Sequence, residues 1–390
     1  MRFALFFILL IFSFFHLSAQ EAIYGKIVDQ LSNLPLPYVT VTIKGKPVGA
    51  FTNKNGEFVL QKIGAGDSLQ ISMVGYAIID TLLIPQKTVR LIVLKEKTTT
   101  LSEIEVSPLT ADTIINRVCS NIEKNYPSKP SIFNALFRKQ IIEDSEYSFL
   151  GNALFSITCP TYWFDETVKK KDQKFYEVKV GEVKVSQNKL EHIKITIPTR
   201  EILDLMYPTF GFIVNPEYSN YRIIRKFYWN NSLYFEIWFK TKDDFFKNEP
   251  IEGNLIIDAT DYALVSVTYN TIRENEKHTG FDKVNKLFSF IAKTNKYTQK
   301  VVYEKKGDQL WGLKYAQVYW DFELVSEKAL NMNKKFVLIS DLLVSPNNPS
   351  ATFVGEHIDL DKDFFNKKST NPTDWKEFNV IVPDYSIQNE

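Results

Sequence analysis

The stretch VGAFTNKNGEFVLQKI, Val48 to Ile63, decides how the first part of the chain is read. Its centre, Asn53-Lys54-Asn55-Gly56-Glu57, is either half of a calcium loop or a tight turn. Phe51 and Thr52 end one apolar run, and Phe58 to Leu60 begin the next. Asn-Gly between two such runs is the strongest short hairpin signal, because both residues tolerate a positive φ. A calcium loop needs several carboxylates at alternating positions and a bidentate Glu well downstream. This stretch offers Asn53, Asn55 and only Glu57, so a turn is expected and no metal.

The strand pattern extends outward from that turn, from Ile23 to Leu94. Val39, Val41 and Ile43 alternate with Thr40, Thr42 and Lys44, a period of two rich in β-branched residues. Leu69, Ile71 and Met73 alternate with Gln70 and Ser72. Gly and Pro punctuate the runs at Pro35, Pro37, Gly45, Gly56, Gly64, Gly66 and Gly75. Short strands at this spacing predict a small antiparallel β-sandwich.

The motifs in YGKIVDQLSNLPLPYVTVTIKGKPVGAFTNKNGEFVLQKI resemble the carboxypeptidase regulatory-like domain. They are Gly25 to Val28, Pro35 to Val41, Gly49, Thr52-Asn53, Gly56 and Phe58. ISMVGYAIID (Ile71 to Asp80) is similar to a later strand of that family. The resemblance covers about 75 residues, judged by matched turn and strand positions. It implies a transthyretin-like sandwich that serves as an accessory and does not itself cut peptides.

The full chain has 390 residues, 44% hydrophobic and 14% aromatic, enough for two domains with cores. Residues 1–19 read as a signal peptide. Arg2 precedes an apolar run from Phe3 to Phe15, and Ala19 supplies the small residue at the cut. Export with a mature start at Gln20 is expected. An uncleaved anchor is the alternative. Without Arg2, 46 basic residues face 46 acidic ones, from 47 and 46 in the whole chain. That balance gives no electrostatic reason to expect nucleic acid. Cys119 and Cys159 either pair, as export permits, or stay as thiols, Cys119 on an apolar helix stripe.

The domains expected are the sandwich over 22–97, a linker over 98–111 and a β-rich domain over 112–390. The linker holds one short strand. Its LSEIEVSP (Leu101 to Pro108) resembles the segment that precedes the plug of exported TonB-dependent receptors, but no plug-like sequence follows. Beyond it, Ile114, Ile115, Val118, Cys119 and Ile122 share one helical face, with Asp112 available as N-cap and Tyr126-Pro127 as the stop. A second short helix is expected at Arg200 to Met206, capped by Thr199. Most other runs read as strands. In GNLIIDATDYALVSVTY, Leu255 and Ile257 share a face, as do Ala263, Val265, Val267 and Tyr269 beyond a turn at Asp258 to Asp261. The expectation is mostly β: the sandwich, then a larger α+β domain with a curved antiparallel sheet and one or two packing helices.

DTIINRVCSNIEKNYPSKP, IEGNLIIDATDYALVSVTY and DWKEFNVIVPD resemble a Bacteroidota family of unknown function with a periplasmic β-rich segment. Some members add an outer-membrane barrel, which is not expected here. The hairpin at Gly253 to Asp258 is also similar to that of half-barrel lipoprotein carriers.

Chemistry is sparse in the sequence. Past residue 19 the histidines are His192, His278 and His357, none at a tight metal spacing. On a strand, His357, Asp359 and Asp361 share one face, either as a site or as a solvated edge. No Gly-x-Ser-x-Gly elbow and no phosphate-cradling glycine loop occurs. No catalytic residue, metal or cofactor is expected. Aromatic residues are in surplus, at PTYWF (Pro160 to Phe164) and YPTFGFIVNPEYSNY (Tyr207 to Tyr221). Tyr162, Trp163, Phe210 and Phe212 are the candidate ligand contacts, against the alternative that they only pack.

The reading is a non-enzymatic exported protein of the periplasm or outer membrane that binds a partner protein, glycan or lipid. A peptidase-like hydrolase with an accessory sandwich and a small outer-membrane β-barrel are the alternatives. Charges on both faces of runs such as YFEIWFK weigh against the barrel.

Overall fold

The structure is a computed structural model. It describes residues 21–44, 49–64, 66–82, 89–97, 99–100, 109–129, 131–159, 177–188, 202, 211, 213–229, 231–242, 250–271, 290–305, 309–326, 333–344, 356–357 and 365. The chain divides into two compact units, with the boundary between Glu96 and Lys97. The signal-peptide reading of residues 1–19 and the helix expected at Arg200 to Met206 lie outside the described residues, apart from the single helical position Ile202.

In the first unit, β1 (Glu21–Asp29), β4 (Glu57–Ile63) and β7 (Arg90–Leu94) form one sheet in the order β4-β1-β7. β2 (Thr40–Ile43), β3 (Gly49–Phe51), β5 (Ser68–Ser72) and β6 (Ile79–Leu82) form the other, in the order β3-β2-β5-β6. The period of two puts Val41, Ile43, Leu69 and Ile71 on the covered side, where they join Ile27, Phe58, Leu60 and Leu94 in one core. All pairings are antiparallel except β1 with β7, which is parallel.

The turn at residues 53–56 is present, and it corrects the hairpin expectation. β3 and β4 are not partners: β3 pairs with β2, and β4 with β1. The turn therefore carries the chain from one sheet to the other. Asn53 holds it. Its side-chain oxygen accepts from the backbone N–H of Asn55 and Glu57 at 3.0 and 2.9 Å, and its carbonyl accepts from Gly56 at 3.0 Å. Only Gly56 takes the left-handed conformation, at φ +74°. A Cβ there would sit 2.3 Å from the carbonyl oxygen of Ile27, so glycine is needed for space as well as for φ.

In the second unit, helix α1 (Ala111–Ser120) is capped by Thr110, whose hydroxyl accepts from Thr113 N–H at 3.2 Å. Asp112 lies inside the first turn and is not the cap that the sequence suggested. Ile114, Ile115 and Val118 are buried on the expected stripe. Asn121 interrupts the helix, and α2 (Ile122–Asn125) ends at Tyr126 in extended conformation, as the following Pro127 requires.

Among the described residues, this unit also holds a large curved antiparallel sheet of 12 strands. In order these are β19 (Glu356–His357), β11 (Glu177–Asn188), β10 (Glu146–Cys159), β9 (Ser131–Glu143), β18 (Lys334–Val344), β17 (Trp311–Ser326), β16 (Phe290–Lys305), β15 (Ala263–Thr271), β14 (Ile251–Asp258), β13 (Ser232–Thr241), β12 (Ser219–Trp229) and β8 (Thr99–Thr100). Ten long strands thus lie between β19 and β8, of each of which two residues are described. Strands adjacent in this order are also consecutive in sequence except where β18 lies beside β9, β19 beside β11 and β8 beside β12.

Candidate functional site

Register gives this sheet two chemically opposite faces. Directly paired residues project to the same side, so one rung can be followed across the strands. Ile223, Ile237, Leu255, Val267, Val301, Ala316, Leu342, Phe137, Ala153 and Val183 are paired in turn from β12 to β11. Every member is apolar. The next rung projects to the other side and runs Arg222, Trp238, Asn254, Thr268, Lys300, Gln317, Asp341, Arg138 and Asn152. Apart from Trp238, every member is polar.

The apolar face is rich in stacked rings. Trp320 and Phe322, two residues apart on β17, have centroids 4.2 Å apart. Phe322 stacks on Phe336 of β18 at 5.5 Å, and Tyr297 of β16 meets Trp320 edge-on at 6.1 Å. Further along, Phe137 stacks on Phe155 at 5.1 Å, and Phe365 lies over Phe137 and Phe149 at 6.0 and 5.0 Å. At the other end, Tyr126, just after α2, meets Tyr303 edge-on at 5.7 Å and donates its hydroxyl to the Leu264 carbonyl at 2.9 Å. The phenol of Tyr269 is fully buried on this face, with no hydrogen-bond partner among the described residues. Burial raises its pKa far above that of free tyrosine, so it stays protonated and able to donate.

The polar face is solvated at Arg222, Asn254 and Thr268 but buried from Gln317 to Asn152. Asp341 is the hub of the buried part. It accepts from the Tyr315 hydroxyl at 2.5 Å, from Gln317 at 2.8 Å and from Gln140 at 3.4 Å. Tyr147 donates to Gln140 at 3.1 Å, and Arg138 Nε donates to the Asn152 side chain at 2.8 Å. The bonds named here offset much of the cost of burying these polar atoms. Lys300 lies next to Gln317 on the rung and keeps partial exposure. Burial of its ammonium pulls its pKa down to about 8, since the charged form is poorly solvated there.

The candidate contacts Tyr162, Trp163, Phe210 and Phe212 lie outside the described residues, as do His192, His278, Asp359 and Asp361. His357 stands on β19 opposite Lys179. Among the described residues no group of three metal-ligating side chains comes together. Cys119 is a free thiol that donates to the Val214 carbonyl at 3.0 Å, and burial pushes its pKa up to about 11. The sequence signals missed the polar network, because Arg138, Gln140, Gln317 and Asp341 meet only through strand order. Their alternation with apolar neighbours was the one available hint.

The fold can now be set against known proteins. No curated protein sequence matches the chain. A LolA superfamily protein from Nitrosomonas europaea aligns at 12% identity and a TM-score of 0.24, covering 60% of this chain and 93% of that one. A putative outer membrane lipoprotein-sorting protein domain from Vibrio parahaemolyticus aligns at 9% identity and a TM-score of 0.22, covering 60% and 94%. A putative membrane-associated protein of unknown function from Bacteroides fragilis aligns at 12% identity and a TM-score of 0.16, covering 84% and 98%. Within the chain, residues 23–106 match the family model of the CarboxypepD_reg-like domain.

Proposed function

We propose that this is an exported, non-catalytic binding protein of the cell envelope, whose second domain takes an apolar, acyl-chain-like ligand on the ring-lined face of its large sheet. The observation that carries the reading is the unbroken apolar rung from Ile223 to Val183, flanked by the ring stacks at Trp320-Phe322-Phe336 and Phe137-Phe155. A face of that length, built from side chains on ten strands, matches an extended hydrocarbon better than a compact polar substrate. Tyr126 packs on the same face, so the side that a membrane barrel would turn to lipid is turned towards the protein's own residues. The mature chain starts at Gln20, with the sandwich over 22–97, the linker over 98–111 and the β-rich domain over 112–390. The sandwich is an accessory module in this reading.

Fluorescence titration of the purified, delipidated mature protein with cis-parinaric acid tests it. Saturable binding, displaced by oleate, is expected. A folded protein with no saturable binding overturns the proposal. Peptide cleavage by the same preparation, with or without added zinc, would overturn the non-catalytic part. N-terminal sequencing of protein from the envelope fraction checks the start at Gln20.

A further inference from the structure

Phenols covered in the second unit are answered by acceptors. Tyr126 donates to the Leu264 carbonyl at 2.9 Å, Tyr221 to the Ile213 carbonyl at 2.7 Å and Tyr315 to Asp341 at 2.5 Å. Tyr269 departs from this pattern. It is 1% exposed, and its hydroxyl has no hydrogen-bond partner among the described residues. A buried donor left in that state carries a desolvation cost that phenylalanine at the same place would avoid.

The ring is held in one place. Tyr269 lies on the apolar face two residues from Val267, directly across from Gly253 on β14 and Gln299 on β16. Beyond Gly253 comes Phe239 on β13. The Tyr269 and Phe239 rings meet edge-on with centroids 6.5 Å apart, nearer than two strand spacings of about 4.8 Å each. They lean together over Gly253, where a Cβ would sit 2.8 Å from that of Tyr269. The surroundings leave the hydroxyl unanswered. Val267 and Leu255 are aliphatic, and Gln299 turns its amide to the Tyr297 hydroxyl, donating at 3.3 Å.

From Val267 the apolar rung passes through Val301, Ala316, Leu342 and Phe137 to Ala153, a run of about 24 Å at the usual strand spacing. A fixed donor beside such a run suits a molecule with one accepting head and a long hydrocarbon tail. We propose that Tyr269 anchors the head of the ligand: its hydroxyl donates to the carbonyl oxygen of an acyl group, a free carboxylate or an ester, and the tail crosses the strands towards Ala153. The assignment rests on the acyl-ligand reading of this face. It adds the chemical class of the head and the residue that selects it.

Tyr269→Phe removes the donor and keeps the ring. Oleate, methyl oleate and N-phenylnaphthylamine, an apolar probe without a carbonyl, are titrated into the delipidated mature protein and the variant. The variant should lose affinity about 10-fold for methyl oleate and about 10- to 100-fold for oleate, as the loss of a neutral and of a charge-assisted hydrogen bond requires. Its affinity for the naphthylamine should be unchanged. A loss confined to one lipid supports the anchor and identifies the head as the free acid or the ester. Equal affinity of both proteins for both lipids overturns the anchor and leaves the acyl-ligand reading standing. Equal losses for all three probes mark a packing defect and overturn it too. A folded natural protein that binds none of the probes overturns that reading and the anchor with it.

A second measurement separates recognition from packing. Without lipid, Tyr269→Phe should melt at the same temperature as the natural protein or higher, because the hydroxyl it removes has no acceptor to lose. A lower melting temperature means that the hydroxyl is bonded within the fold, which overturns the proposal.

Discussion

The Tyr315 hydroxyl donates to the Asp341 carboxylate at 2.5 Å, across neighbouring strands, with both residues 3% exposed or less. The same carboxylate serves Gln317 and Gln140, so three strand residues on β9 and β17 depend on one side chain. Asp341→Ala should lower the stability of the second unit by about 3–5 kcal/mol, since it strands buried donors as well as removing bonds. Tyr315→Phe removes one bond and should cost about 1–3 kcal/mol. Thermal unfolding of both variants and of the double variant checks this. The double variant should lose less than the sum, because the two residues share one interaction.

Gly56 and Gly66 separate strain from crowding. Both have positive φ, +74° and +89°, but a Cβ at Gly66 meets nothing within 4 Å. Gly66→Ala should cost only the left-handed strain, about 1–3 kcal/mol. Gly56→Ala adds a clash with the Ile27 carbonyl and should exceed it by about 1–3 kcal/mol. Unfolding of the first unit, followed by chemical denaturation, gives the comparison. Equal losses would show that the turn relaxes to make room.

Lys300 should make stability rise with pH. Its pKa falls from 10.5 to about 8 on folding. Below pH 8 it is charged in both states, and the cost of burying the charge is fully present. Between about 8 and 10.5 the unfolded chain holds the proton that the folded chain has lost, so stability increases with pH. Lys300→Met should therefore be more stable than the natural protein at pH 7, with the gap closing towards pH 10.5. A pH-independent gap would mean that the ammonium is not titrating as burial dictates.

Cys119 should be slow to react. Its pKa rises from 9.0 to about 11, which cuts the thiolate fraction at neutral pH about 100-fold. In a Cys159→Ser variant, maleimide labelling at pH 7 should be slower by at least about that factor than in urea. Equal rates would show that the α1 face opens readily.

What the sequence determined by itself was local. Period-two runs named the strands around Val41, Ile71, Leu255 and Val267, because side-chain alternation is a property of each strand alone. The stripe Ile114-Ile115-Val118 and the stop at Tyr126-Pro127 placed the helix for the same reason. The Asn53–Gly56 turn was legible as a turn, since its hydrogen bonds and the φ of Gly56 are local. Only the tertiary structure decided what the turn joins. Its flanking strands belong to different sheets, and nothing in a four-residue turn records which distant strand each flank will pair with. The same holds for the large sheet. β18 lies beside β9 although roughly 200 residues separate Asp341 from Arg138, as only tertiary register can arrange. One face becomes continuously apolar and the other gathers Arg138, Gln140, Gln317 and Asp341, because pairing registers bring together residues that the chain holds far apart.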